Sequence, residues 1–175
     1  MSVHFRKLAL IGIGLIGSSI ALAARRQGLV EVISIATRKQ ETLDEARELD
    51  LGDSYTLDAA EAVRGADLVI ICTPVGAYES VMRTIAPALE PGAILSDVGS
   101  VKGHVVKTLA PLVPAGVSFI PGHPLAGTEH SGPAAGFAEL FAGRWCVLTP
   151  GPEVDPARTE KLAGFWRAMG SQVEI

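Results

Sequence analysis

The sequence predicts an α/β protein, a single domain built on a doubly wound, mostly parallel sheet. Three observations carry this prediction. Short apolar runs alternate with stretches of helical periodicity almost throughout the chain, the pattern of parallel strands joined by crossover helices. The first run ends in the glycine-rich turn "GIGLIG", residues 12–17, which opens a helix. The run "DLVIICT", residues 67–73, is apolar at consecutive positions, as a strand must be when both sheet faces are covered.

The elements follow in order. "KLALI", residues 7–11, is a buried strand ending at glycine. Residues 15–27 turn helical, with Ile16, Ile20 and Ala23 on one face and Gly28 as the stop. "VEVISIA" is the second strand, and residues 40–49 form an exposed amphipathic helix with Leu43 and Ala46 inward. Asp58 caps a short helix over residues 59–64. After "DLVIICT", a helix is expected over about residues 76–88, then the strand "AILSDV", then a helix over residues 101–112. "VSFIPG" and "RWCVLTP" read as further strands. Asp155 caps a helix that has Pro156 at its first position and runs to Met169, and "SQVEI" begins a last strand. A chain that stops inside a strand suggests one domain of a longer protein.

Composition narrows the function. The chain has 175 residues, 48% hydrophobic and 19% charged, a globular balance with length enough for a sizeable core. Mean hydropathy is +0.33, but Gly, Ser, Arg or Pro breaks each apolar stretch before it could span a bilayer. The basic, apolar start lacks the small-residue cleavage site of a signal peptide. A net charge of −4 gives no basic face for nucleic acid. The two cysteines, Cys72 and Cys146, have no metal spacing, and Cys72 reads as a small core residue. These features point to a cytoplasmic protein that binds small molecules, without nucleic-acid, membrane or metal partners.

The glycine loop supplies the ligand class. Gly12 permits the tight turn, Gly14 lets backbone approach a pyrophosphate, and Gly17 allows close helix–strand packing. The helix start at Leu15 and Ile16 presents N–H groups and the positive end of the dipole to the anion. About 20 residues past such a loop a carboxylate usually binds the adenosine ribose. Here the sequence has Thr37, Arg38 and Lys39. A guanidinium and an ammonium attract a 2′-phosphate that a carboxylate would repel, so the expected cofactor is NADP, with NAD possible. The alternative for Arg38 and Lys39 is an ordinary pair of solvated loop charges.

Thr73 and Pro74 follow an apolar strand and would border the cofactor. In "SDVGSVKG", Ser100 is either a site residue at the same sheet edge or a helix N-cap, and Asp97 and Lys102 could form a local ion pair. In "FIPGHPLAGTEHSG", His123 lies between Gly122 and Pro124 on a loop just past a strand. Its ordinary pKa near 6.5 suits proton transfer at neutrality. A histidine bonded to a backbone carbonyl is the competing reading. His4, His104 and His130 read as surface residues.

Together "GIGLIGSSIA", "CTPV", "SDVGSVKG", "GHPLAGTEHSG" and "LFAGRWCVLTP" resemble the N-terminal dinucleotide-binding domain of the prephenate/arogenate (cyclohexadienyl) dehydrogenases of tyrosine biosynthesis. The resemblance implies oxidative decarboxylation of prephenate to 4-hydroxyphenylpyruvate, or of arogenate to tyrosine. It assigns His123 to accept the proton of the ring hydroxyl while hydride leaves the same carbon for the nicotinamide. Ser100 would stand near that hydroxyl, with Glu129 and Thr128 at the mouth of the substrate pocket. Loss of CO2 then yields an aromatic ring, and no metal is required. The resemblance further implies a helical C-terminal domain, absent from residues 1–175, that makes a homodimer and grips the substrate carboxylate. Two rivals stand beside it. Another NADP-linked oxidoreductase of similar architecture would use other catalytic groups, and a nucleotide-sensing module would not need His123 or Ser100.

Overall fold

In the computed structural model, which describes residues 3–175, strands and helices alternate as the sequence predicts. The first part runs β1 (Phe5–Ile11), α1 (Leu15–Arg26), β2 (Val30–Ala36), α2 (Gln40–Glu48), β3 (Ser54–Thr56), α3 (Ala59–Val63), β4 (Leu68–Ile71), α4 (Tyr78–Ile85), β5 (Ile94–Asp97), α5 (Lys102–Leu109) and β6 (Ser118–Ile120). These strands form one six-stranded sheet in the order β3-β2-β1-β4-β5-β6, with every neighbour parallel. The chain builds outward from β1 to β3, then crosses back to β4. That reversal leaves a crevice beyond the carboxyl ends of β1 and β4, where open α/β sheets bind ligands.

Strand alternation explains why the central runs are apolar throughout. Leu8 and Leu10 of β1 pack with Leu68 and Ile70 of β4 on one face. Ala9 and Ile11 pack with Val69 and Ile71 on the other. Successive side chains point to opposite faces, and both faces are covered by helices. Local signals also hold: Gly28 ends α1 at φ +65°, and Asp58 accepts a hydrogen bond from the Ala60 N–H at 3.0 Å.

The last strands do not extend this sheet. β7 (Gly122–Pro124), β8 (Trp145–Leu148) and β9 (Gln172–Glu174) make a separate three-stranded sheet in the order β7-β8-β9, with α6 (Pro156–Ala168) between β8 and β9. β7 and β8 pair antiparallel, β8 and β9 parallel. Pro121 causes the break. It has no N–H for a parallel ladder after β6, and the chain turns there into β7. α6, capped by Asp155 on the Ala157 N–H at 2.9 Å, buries Phe165 and Trp166, with Trp166 edge-on to Phe141 at 5.1 Å between centroids. β3, which the sequence pattern does not reveal, is a short edge strand without an apolar run. The expected helix over residues 76–88 begins and ends in 3-10 turns, Val75–Ala77 and Ala86–Ala88.

Between β7 and β8 the chain crosses over α1. The Phe137 N–H donates to Ser19 Oγ at 3.0 Å, and Arg26 pairs with Glu139. Gly136 allows this contact, because a Cβ there would lie 2.4 Å from Ser18 Cβ. A Gly136→Ala variant is therefore expected to lose about 1–3 kcal/mol of stability through overpacking. Chemical denaturation measures this, and an unchanged midpoint would show that the crossing segment is free to shift.

Candidate dinucleotide and substrate cleft

The glycine loop joins β1 to α1 in a conformation that depends on glycine at positions 12 and 17. Gly12 sits at φ +96°, where a Cβ would meet the Cys72 carbonyl and the Thr73 nitrogen at 2.9 Å. A Cβ on Gly17 would lie 2.6 Å from the Gly12 oxygen, so the helix presses directly on the loop. Above Gly14 there is nothing within 4 Å, the open space that close approach of a pyrophosphate needs. Gly14 is the N-cap of α1 and no side chain caps the helix or places an acid in its first turn. The first-turn N–H groups and the dipole therefore face the crevice unspent. These features fit a bound dinucleotide.

The crevice is a cleft of about 760 Å³. Its walls include Gly12, Gly14 and Ile16 from the loop, Thr37, Arg38 and Lys39 beyond β2, Thr73 and Pro74 beyond β4, and Ser100 and His123 beyond β5 and β6. The topology puts the cationic end at β2 and the histidine end on the opposite side of β1 and β4. Arg38 and Lys39 are exposed, and among the described residues neither makes an ion pair.

His123 is half-buried and lies within β7, not on a loop. Its backbone pairs opposite Val147 of β8, which fixes it more firmly than flanking glycine and proline would. Burial and the nearby Lys102 ammonium hold the imidazole below its ordinary pKa of 6.5, with Asp97 opposing them. The ring is thus neutral at pH 7 and able to accept a proton.

Behind it lies a buried polar network. Asp97, fully buried at the end of β5, accepts from Tyr78 Oη at 3.1 Å and from the Gly99 N–H at 2.9 Å on Oδ2. Its Oδ1 accepts from the Gly122 N–H at 3.1 Å. Lys102 Nζ pairs with Asp97 Oδ2 and donates to the Gly122 carbonyl at 2.6 Å. Burial lowers the Lys102 pKa, and Asp97 works against that shift.

Several sequence expectations change. Neither Leu15 nor Gly17 lines the cleft: Leu15 turns its side chain to the core and can offer the cleft only its first-turn N–H, and Gly17 packs under the Gly12 oxygen, the close helix–strand contact expected of it. Ser100 does not cap α5, whose N-cap is Val101, and its exposed side chain borders the cleft instead. Cys72 is half-buried and does both: it packs against the core, as expected, and also forms part of the cleft wall. Thr128 and Glu129 lie off the cleft wall on an exposed segment, where Glu129 stands 3.3 Å from His130. Sequence reasoning missed Thr42 and Tyr78 on the wall, which carry no motif. It named Asp97 and Lys102 without seeing their hold on Gly122; the signal was a carboxylate inside an apolar strand. Among the described residues no group of three or more His, Cys, Asp or Glu could hold a metal, and no helix is long and apolar enough to cross a membrane.

Comparison with known proteins adds the relatives. The family model for the prephenate dehydrogenase nucleotide-binding domain matches residues 20–175. The chain is 42% identical over 171 residues to a cyclohexadienyl dehydrogenase of Zymomonas mobilis, covering 98% of this chain and 58% of the relative. The structure of prephenate dehydrogenase from A. aeolicus, in complex with hydroxyphenyl propionate and NAD+, superposes with a TM-score of 0.90 at 28% identity, over 99% of this chain and 60% of that one. Synechocystis arogenate dehydrogenase superposes with a TM-score of 0.88 at 32% identity, over 96% and 58% respectively. The chain spans about half the length of the curated relatives it matches.

Proposed function

The chain belongs to the prephenate dehydrogenase nucleotide-binding family, and on that premise we propose that residues 1–175 are the dinucleotide-binding domain of an enzyme that oxidatively decarboxylates prephenate, arogenate or both, with NADP as hydride acceptor. A helical dimerisation domain, outside residues 1–175, completes the substrate site. The observation that carries this reading is the placement of a half-buried His123 and Ser100 on the same cleft as the glycine loop.

Gly12, Gly14 and the first turn of α1 hold the pyrophosphate, Arg38 and Thr37 the 2′-phosphate with Lys39 adding charge, and Thr73 and Pro74 flank the cofactor. When bound, the dinucleotide supplies the hydride acceptor. His123 accepts the hydrogen bond and then the proton of the substrate hydroxyl, and Ser100 orients that hydroxyl. Thr128 and Glu129, on the segment between Ala126 and Gly132 of the cleft wall, serve the pocket mouth. Aromatisation of the substrate drives the loss of CO2, so the protein needs only to orient one ring and remove one proton.

Steady-state kinetics of the full-length protein with prephenate or arogenate, each with NAD or NADP, test the proposal. Turnover with either substrate and a preference for NADP are expected. No turnover with any pairing would overturn it. The pH profile is a further expectation. A base must be neutral to act, and His123 is held below 6.5. kcat/KM should therefore be flat near neutrality and fall as pH drops through a midpoint below 6.5. A midpoint above that value would remove His123 from the role.

A further inference from the structure

The geometry around Gly122 points to a task beyond stability for the Asp97–Lys102 pair, in which the carboxylate is fully buried and the ammonium partly so. Two bonds between β7 and β8 define the setting. The Thr149 N–H donates to the Pro121 carbonyl at 2.9 Å, and the Leu125 N–H to the Trp145 carbonyl at 2.7 Å. By antiparallel alternation, Gly122 occupies a non-hydrogen-bonded position, with its own N–H and C=O turned away from β8. Asp97 Oδ1 takes that N–H and Lys102 Nζ that carbonyl. The fit needs glycine, since a Cβ at 122 would lie 2.9 Å from the Asp97 carbonyl oxygen.

We infer that the Asp97–Lys102 pair is a positioning device, which grips the Gly122 peptide by both its polar groups and so fixes where the His123 imidazole stands in the cleft. The inference rests on the proposed role of His123. An ion pair taken this far out of water is poor evidence of stabilisation, because desolvation offsets much of the attraction. Here each charge also satisfies a backbone group that no strand reaches, one residue before the histidine. Lys102 additionally holds His123 toward its neutral form. The other titratable groups packed there are neutral near pH 7. Burial pushes the Cys146 thiol of β8 up to about 12, and raises the thiol of Cys72 beyond β4 and the phenol of Tyr78 on α4.

The test uses Lys102→Met, Asp97→Asn and the conservative Lys102→Arg in the full-length protein. Lys102→Met should lower kcat about tenfold by misplacing the base, with KM for the dinucleotide little changed. It should also raise the His123 midpoint, read by NMR titration and by the acid limb of the rate profile. Asp97→Asn should likewise lower kcat, and Lys102→Arg should recover part of the loss. A merely structural pair would lower the melting temperature yet leave the rate and the His123 titration of folded protein as in the wild type; that result would overturn the inference. If Lys102→Met does not fold, amide exchange of the wild-type protein decides. The Gly122 N–H should be strongly protected, and free exchange would show that Asp97 does not hold it. The amide and titration readouts are independent of turnover, so they separate failure of the clamp from failure of the catalytic assignment, which an active His123→Asn variant would expose.

Discussion

Replacing His123 with Asn in the full-length protein should lower kcat by about 10²–10⁴-fold, the usual contribution of a positioned general base. Asn keeps a polar side chain of similar reach and can still receive a hydrogen bond from a hydroxyl. It cannot take up a proton near neutrality. The substitution therefore separates holding the substrate from deprotonating it. Dinucleotide affinity should change little, because His123 sits at the β5–β6 side of the cleft, while the glycine loop and the cationic residues lie at β1 and β2. β7 should keep its course, since its pairing with β8 uses backbone groups. Isothermal titration with NADP and steady-state kinetics on the same preparation read the two effects. A variant that keeps near-normal kcat would dismiss His123 as the base, whatever its place in the cleft.

The sequence disclosed what local patterns can encode. The apolar runs of β1 and β4 mark buried strands because each alternate residue meets a covered face. Gly28, Asp58 and Asp155 mark helix ends through chemistry confined to a few neighbouring residues. The glycine loop was legible because steric demands at Gly12 and Gly17 admit no other residue type. What stayed hidden depends on distant parts of the chain. β3 becomes a strand only by pairing with Ser34–Ala36 of β2. The strand of His123 exists because β8, more than twenty residues later, lies beside it. The hold on Gly122 joins β5, α5 and β7, separated by up to 25 positions, and nothing in the spacing of Asp97 and Lys102 announces it. Motif spacing thus found residues that for the most part border the cleft, such as Gly12, Arg38, Thr73 and His123, while the rest of the wall and the support behind it emerged only from packing.

Arg38→Ala should reduce affinity for NADP about ten- to hundredfold and leave affinity for NAD nearly unchanged. A hydrogen bond to a charged group is worth about 1.5–3 kcal/mol, and a bidentate guanidinium–phosphate contact lies at the strong end of such interactions. Arg38 is suited to that contact. It borders the cleft just beyond β2, is exposed, and makes no ion pair among the described residues that would compete for its donors. Thr37 beside it offers a hydroxyl, where a carboxylate would repel the phosphate and grip the ribose instead. Lys39 offers a point charge without the bidentate fork of a guanidinium, so Lys39→Ala should have a smaller effect, mostly screened by salt. The converse substitution sharpens the argument. Thr37→Asp places a carboxylate where the 2′-phosphate would lie, and should turn the preference toward NAD by both repelling one ligand and binding the other's ribose hydroxyls. Fluorescence titrations with NADP and NAD at two ionic strengths distinguish these contributions. If Arg38→Ala left the ratio of the two affinities unchanged, discrimination would have to come from elsewhere on the cleft wall, with Thr42 on α2 the next residue to change.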